Sequence, residues 1–136
     1  MFLNLLNDEE KSCFLKLAIS IIQADGKIEE SEKSYISEYS REMGISEYDL
    51  SEQIDVTAVA QVIGTKSSES VKRIFLLELV ACANVDGDFA ETEKELIHSL
   101  VNNFGLTETD LNTCLDLLAE YTKISVKLTD FVKGEK

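Results

Sequence analysis

Apolar residues recur every three or four positions along most of this 136-residue chain. That spacing places them on one face of an α-helix, and no long stretch shows the strict alternation of a β-strand. The pattern predicts long helices over residues 8–24, 30–42, 69–84, 91–103 and 108–121. The hydrophobic pattern therefore predicts an all-α fold without a sheet.

Polar residues and glycines mark where these helices begin and end. Asn7 with Glu10 three residues later has the spacing of a capping box. Gly44 is placed to end the second helix in a left-handed conformation. Ser46 with Asp49 repeats the spacing of a cap, and it predicts a further short helix after Gly44.

Two more short helices complete the prediction. Asp55 is expected to cap a helix that ends at Gly64, and a loop then separates the two halves of the chain. After Thr122 a last short helix is predicted to run through Phe131. The whole chain, residues 1–136, is thus predicted to be a single domain, a bundle of about seven helices.

The two halves of the chain repeat each other at an offset of 61 residues. The matched pairs are Leu15 and Leu76, Asp25 and Asp86, Gly26 and Gly87, Glu30 and Glu91, Glu32 and Glu93, Lys33 and Lys94, Ile36 and Ile97, Gly44 and Gly105, and Leu50 and Leu111. The pattern predicts an internal duplication with repeats over about residues 8–63 and 68–121. Each repeat is predicted to contain a helix, an acidic turn and a second helix.

Helical spacing directs two carboxylates of each acidic turn towards the seam between the paired helices. Three residues after Ile22 on the first apolar stripe comes Asp25, and four residues before Ile36 on the second comes Glu32. The second unit gives the same result. The four inward carboxylates are Asp25, Glu32, Asp86 and Glu93.

Other charged residues of the turns are expected to face water, because they fall off the apolar stripes. The acidic ones are Glu29, Glu30 and Glu91. Lys33 and Lys94 are spaced to pair with Glu29 and Glu91 on the helix surface. Such exposed pairs contribute little stability.

Two explanations of the inward carboxylates compete. The first is structural: a glutamate in the first turn of a helix accepts free backbone N–H groups, and an aspartate before glycine stabilises a tight turn. The second is a divalent cation bound where the two turns meet, held by Asp25, Glu32, Asp86 and Glu93. Carboxylate oxygens suit Ca²⁺ or Mg²⁺.

An ordinary EF-hand loop is excluded, although Asp-Gly followed by glutamate has the spacing of its second half. An EF-hand needs an oxygen ligand at its first position. That position carries Ile21 in the first unit and Cys82 in the second. Any cation site must therefore be of a different kind.

The chain has 26 acidic and 13 basic residues and a formal net charge of −13. Such a surface repels phosphate backbones and anionic lipids, so nucleic-acid binding and membrane-surface binding are not expected. Cations or a basic protein partner are compatible with it.

Three cysteines, Cys13, Cys82 and Cys114, are widely separated and lack a C-x-x-C spacing. They are predicted to be reduced, buried thiols of a cytoplasmic protein. The apolar N-terminal segment is too short for a signal sequence or a membrane span. Its Phe2, Leu3 and Leu6 are expected to dock on the core.

No catalytic constellation is apparent, and an enzyme is not expected. The single histidine, His98, falls off the apolar stripe of its helix and is predicted to be exposed. No serine or cysteine has a histidine at motif spacing, and no glycine-rich phosphate loop is present. The tyrosines that could line a groove are Tyr35, Tyr39, Tyr48 and Tyr121.

The two acidic turns and their flanks resemble the TerB-like family, which is named for tellurite resistance. The resemblance rests on "AISIIQADGKIEESEKSYISEYSREMGIS" and "LELVACANVDGDFAETEKELIHSLVNNFGL" and covers roughly residues 8–121. It implies an all-helical bundle from bacteria, and a candidate metal site at the four inward carboxylates. Val85 departs from the pattern, which has alanine at Ala24 in the first copy.

The resemblance also implies a role in stress and tellurium resistance, alone or as a module of larger proteins. The sequence supports two functional hypotheses. In the first, a non-enzymatic stress-associated protein binds a divalent cation at its paired turns and acts with an unidentified protein partner. In the second, the chain is an interaction scaffold, and its acidic turns are helix caps.

Overall fold

The computed structural model of the protein describes residues 1–24, 28, 30–83 and 91–134. Over these residues the chain is helical and contains no strand, so the predicted all-α class is confirmed. A 3-10 helix at Leu3–Leu5 precedes the α-helices, which are α1 (Asp8–Gln23), α2 (Glu30–Met43), α3 (Val56–Lys66), α4 (Glu69–Ala83), α5 (Glu91–Phe104) and α6 (Glu108–Lys133).

The predicted helix ends are formed by the expected side chains. The Glu10 backbone N–H donates to Asn7 Oδ1 at 2.8 Å, and the Asn7 N–H donates to Glu10 Oε1 at 3.0 Å, which completes the capping box of α1. Gly44 and Gly105 have φ of 74° and 77°, a left-handed conformation that glycine adopts without a steric cost. These boundaries are fixed by local interactions, which is why the sequence predicts them.

The short helix predicted after Gly44 is wrong. No helix forms between α2 and Asp55, which accepts the Ala58 N–H at 3.1 Å and caps α3 as expected. Asp49 does not reach back to cap Ser46. Its Oδ1 accepts the Ser51 N–H at 2.9 Å and the Ser51 hydroxyl at 2.6 Å, which forms a turn.

A contact from α1 holds this irregular segment in place. The Gln23 side-chain amide donates to the Leu50 carbonyl and, at 3.2 Å, to the Glu52 carbonyl. A side chain from α1 therefore contributes to fixing the conformation of this segment.

Two other helix boundaries also differ from prediction. The last helix does not stop at Thr122, because α6 is continuous to Lys133. α3 does not end at Gly64 but runs through it. A Cβ at Gly64 would clash with the Asn103 carbonyl oxygen, so the glycine permits close approach of α3 and α5.

The core lies between α1, α3, α4 and α5. α3 packs against α1 and α5, and α4 packs against α1, α5 and α6. A chain of edge-to-face aromatic contacts joins α2, α1, α4 and α5, with ring centroids between 5.1 and 5.9 Å apart. Its members are Tyr39, Phe14, Phe75 and Phe104.

The N-terminal segment docks on this core as predicted, with one exception. Leu3 and Leu6 are buried, but Phe2 is exposed. The Leu3 N–H donates to Glu42 Oε2 at 2.8 Å, which fixes the segment against α2.

The two halves of α6 differ in how deeply their side chains are buried. Its first half buries Leu111 and Cys114 against the core, whereas its second half exposes most of its side chains. Within the described ranges, no helix is both long and apolar enough to cross a membrane.

Candidate functional site at the paired acidic turns

Glu32 and Glu93 occupy the same place in the two halves of the molecule. Each is the third residue of its helix, α2 or α5. Their exposed fractions are only 5% and 4%, so the predicted inward direction is confirmed for both. The other two predicted ligands, Asp25 and Asp86, lie outside the described residues.

The neighbouring acidic residues of the same turns behave differently. Glu30 and Glu91 are exposed, as predicted. Lys33 Nζ lies 3.2 Å from Glu30 Oε1, and Lys94 Nζ lies 3.5 Å from Glu91 Oε1. A pairing of Lys33 with Glu29 falls outside the described residues. Each helix therefore begins with one exposed, lysine-paired glutamate and one buried glutamate.

Both buried glutamates approach one thiol. Cys82 is fully buried near the end of α4, and this burial is the main reason that the pKa of its thiol is raised. The carboxylates of Glu32 and Glu93 raise that pKa further, because negative charges nearby disfavour a thiolate. A carboxylate from each half of the chain is thus near enough to the Cys82 thiol to raise its pKa.

A third buried carboxylate, Glu78, lies one helical turn before Cys82 on α4 and was not predicted. It also raises the pKa of the Cys82 thiol. Burial raises the pKa of Glu78 itself, and the Met1 ammonium, 3.3 Å away, opposes that shift. The sequence signal was an acidic residue on the buried face of α4, three positions after Phe75.

Three of the four tyrosines that the sequence analysis considered for a groove line one cleft. Tyr35, Tyr39 and Tyr121 line a cleft of about 470 Å³, together with Glu42 and Glu78. The Tyr39 hydroxyl donates to the Glu78 carbonyl oxygen at 3.0 Å. Tyr48 is exposed elsewhere and does not line this cleft.

The described carboxylates fit a hard cation in type but not in number. Glu32 and Glu93 supply oxygen ligands, the kind that Ca²⁺ and Mg²⁺ prefer. Among the residues whose placement is described, no group of three or more His, Cys, Asp or Glu could hold a metal ion. A complete ligand set would need Asp25 and Asp86 as well.

The other reactive side chains considered in the sequence are His98 and the three cysteines. His98 is exposed, as predicted, and its Nδ1 lies 2.8 Å from Glu108 Oε1. The three cysteines are free thiols. Cys82 and Cys114 are buried, but Cys13 is only half-buried, which corrects the prediction for that residue.

Comparisons with known proteins give a match at the level of structure. No protein-family model and no curated protein sequence matches the chain. A crystal structure of a tellurite resistance protein from Nostoc punctiforme PCC 73102 is similar over 96% of this chain and 84% of that one, with a TM-score of 0.68 and 20% identity. The chain therefore has the fold of that tellurite resistance protein, as its resemblance to the TerB-like family implied.

Proposed function

We propose that this protein is a non-enzymatic module that binds a divalent cation between its two acidic turns. The observation that carries the proposal is the burial of two carboxylates, Glu32 and Glu93, at equivalent positions of α2 and α5. The ligands would be Asp25, Glu32, Asp86 and Glu93, and the cation Ca²⁺ or Mg²⁺.

Electrostatics is the physical reason for expecting a cation. Carboxylates that share a buried region disfavour each other's ionised form, and a divalent cation removes that penalty. Cys82 adds no charge of its own to the region, since its raised pKa keeps the thiol neutral. The large acidic excess of the chain also favours the approach of cations.

The structural neighbour supports a cellular setting. It is named as a tellurite resistance protein, and the shared fold is compatible with a stress-associated role here, carried out with a protein partner. The cation would supply charge compensation that holds the two helix pairs together. Its binding could thus be transmitted to a surface that the partner contacts.

The alternative is an interaction scaffold in which the turns are purely structural. One observation favours it: Glu32 and Glu93 both lie in the first turn of a helix. A carboxylate there is stabilised by the helix dipole and by free backbone N–H groups. In that case neither glutamate would contribute to the binding of any cation.

Calorimetric titration with CaCl₂ and MgCl₂ distinguishes the two functions. We expect saturable heat for the wild type and none for Glu32→Gln/Glu93→Gln, because that variant loses both buried ligands. The matched control is Glu30→Gln/Glu91→Gln, which removes the same charge from exposed positions in the same turns. Equal binding by all three proteins, or by none, would contradict the cation proposal.

A further inference from the structure

From Leu117 onwards, α6 carries an apolar stripe that no described residue of the chain covers. Its members follow each other at spacings of four and three residues, the pattern of a helix that packs against another helix. They are Leu117, Tyr121, Ile124, Leu128 and Phe131, and all are exposed. The stripe extends over 15 residues, or about 22 Å of helix.

This stripe does not continue the face by which α6 packs on its own core. The packed face contains Leu115 and Leu118. Seven residues further along the helix, the same face presents Thr122 and Ser125, which are polar. The stripe therefore lies on a different side of α6 from the packed face, and no described residue of the chain buries it.

Charge makes this segment suitable for contact between two copies of the chain. The protein carries a formal charge of −13, so most pairs of surfaces on two copies repel each other. Residues 119–133 lack this acidic excess, because their three lysines slightly outnumber their two carboxylates. Those charged residues are Glu120, Lys123, Lys127, Asp130 and Lys133.

We propose that the stripe on α6 pairs with the same stripe of a second copy, in antiparallel orientation. In that register Leu117 lies opposite Leu128 of the second copy, and Tyr121 lies opposite Ile124. Glu120 then flanks the seam next to Lys127 of the second copy, and symmetry gives two such pairs.

A parallel pairing lacks this complementarity. It places Glu120 beside Ser125 of the second copy, and Lys127 beside Val132. An anionic membrane is also a poorer match than a second copy, since the polar face mixes Glu120 and Asp130 with its lysines. Helices that lie on membranes carry mainly basic residues on that face.

Sedimentation equilibrium of the full chain, from micromolar to millimolar concentration, tests the pairing. We expect a monomer–dimer equilibrium whose dissociation constant rises at least about tenfold in Ile124→Glu, since this places two charges at the centre of the seam. Val126→Glu is the matched control and is expected to dimerise normally. Val126 is 54% exposed against 56% for Ile124, but it lies off the stripe. Circular dichroism confirms that both variants are folded.

A charge exchange tests the orientation separately. Glu120→Lys and Lys127→Glu are each expected to raise the dissociation constant about tenfold, because each creates two like-charge contacts. The double variant Glu120→Lys/Lys127→Glu is expected to restore wild-type dimerisation. Failure of that restoration would overturn the antiparallel pairing.

Two results would overturn the pairing as a whole. One is a wild type that stays monomeric throughout the concentration range. The other is a monomeric wild type that co-sediments with phosphatidylglycerol vesicles, with this binding lost in Ile124→Glu, which would identify a membrane surface instead. Neither result bears on the cation proposal, because the stripe contains none of its ligands.

Discussion

Ile63 and Ile124 are 61 residues apart and illustrate where the two halves of the molecule diverge. Ile63 lies on α3 between α1 and α5 and is 1% exposed, whereas Ile124 lies on the second half of α6 and is 56% exposed. The same side chain at matched positions is thus a core residue in one half and a surface residue in the other. The two halves differ in the path of the chain after the left-handed glycines Gly44 and Gly105.

After Gly44 the chain turns and α3 folds back onto the core, while after Gly105 it enters α6 directly. The sequences at these points, "GISEYDL" and "GLTETDL", are alike. In the second, the Asp110 N–H donates to Thr107 Oγ1 at 3.2 Å, and the Thr107 N–H donates to Asp110 Oδ2 at 2.9 Å. Similar local sequences therefore give different structures when the next segment has a different packing partner.

The two halves agree at the helix pairs on either side of the acidic turns. Glu32 and Glu93 are buried alike, and α2 and α5 each begin with a lysine–glutamate pair and end at a left-handed glycine. The candidate cation site lies at the acidic turns, where the two halves are alike. The candidate dimer contact lies on α6, where the two halves differ. The internal duplication itself stays a prediction.

Truncation of the two isoleucines should give the largest contrast. We expect Ile63→Ala to lower the free energy of unfolding by about 2–5 kcal/mol, since it leaves a cavity between three helices. Ile124→Ala should change it by less than about 0.5 kcal/mol when the protein is dilute and monomeric. Urea unfolding followed by circular dichroism measures both.

Protein concentration sharpens this contrast. If α6 pairs between copies, the loss in Ile124→Ala should grow with concentration, while the loss in Ile63→Ala should not. Comparable losses for the two variants in dilute solution would contradict the difference in burial.

A smaller contrast is expected at the two capping sequences. Thr107→Ala should cost about 1 kcal/mol, because it removes the side-chain cap of α6. Ser46→Ala should change stability by less than about 0.5 kcal/mol, since no helix begins there. Chemical denaturation of the two variants in parallel measures the difference, and a similar cost at both positions would mean that Ser46 caps a helix after all.

These cases indicate which features the sequence determines by itself. The capping box of Asn7 and the left-handed Gly44 depend on neighbours within a few residues, so they could be predicted. The segment after Ser46 is also held by Gln23, more than twenty residues away, whose amide donates to the Leu50 and Glu52 carbonyls. A pattern within the segment cannot contain that contact.

The same distinction applies to the candidate site. The burial of Glu32 and Glu93 follows from helical spacing, because each lies four residues before a buried isoleucine. Glu78 was missed because it stands among the apolar residues of α4, and their spacing does not show what would compensate a buried carboxylate there. Its contact with Met1 joins residues 77 positions apart, and only the fold reveals it.

The smallest predicted effect concerns Glu78, whose matched position 61 residues earlier is the buried Leu17. Because burial raises the pKa of Glu78, the folded protein holds this proton more tightly than the unfolded chain does. Its contribution to stability is therefore greatest below its ordinary pKa and is lost as the pH rises through the raised value.

The substitution Glu78→Gln removes this dependence of stability on pH. We expect the difference in free energy of unfolding between wild type and Glu78→Gln to shift in favour of the wild type as the pH falls from about 7 to about 4. Thermal or urea unfolding across that range measures it. Glu47→Gln controls for the loss of one exposed carboxylate. A difference that is constant with pH, or that shifts in the opposite direction, would contradict the buried environment of Glu78.

The central claim is that the two acidic turns act together as one cation site. Amide NMR during a Ca²⁺ and a Mg²⁺ titration, at constant ionic strength, tests it most directly. We predict saturable shifts in residues 25–32 and 86–93 that follow a single dissociation constant and vanish in Glu32→Gln/Glu93→Gln. Small shifts spread over the acidic surface that do not saturate, or that are unchanged in this variant, would contradict the claim and leave the buried glutamates as helix caps.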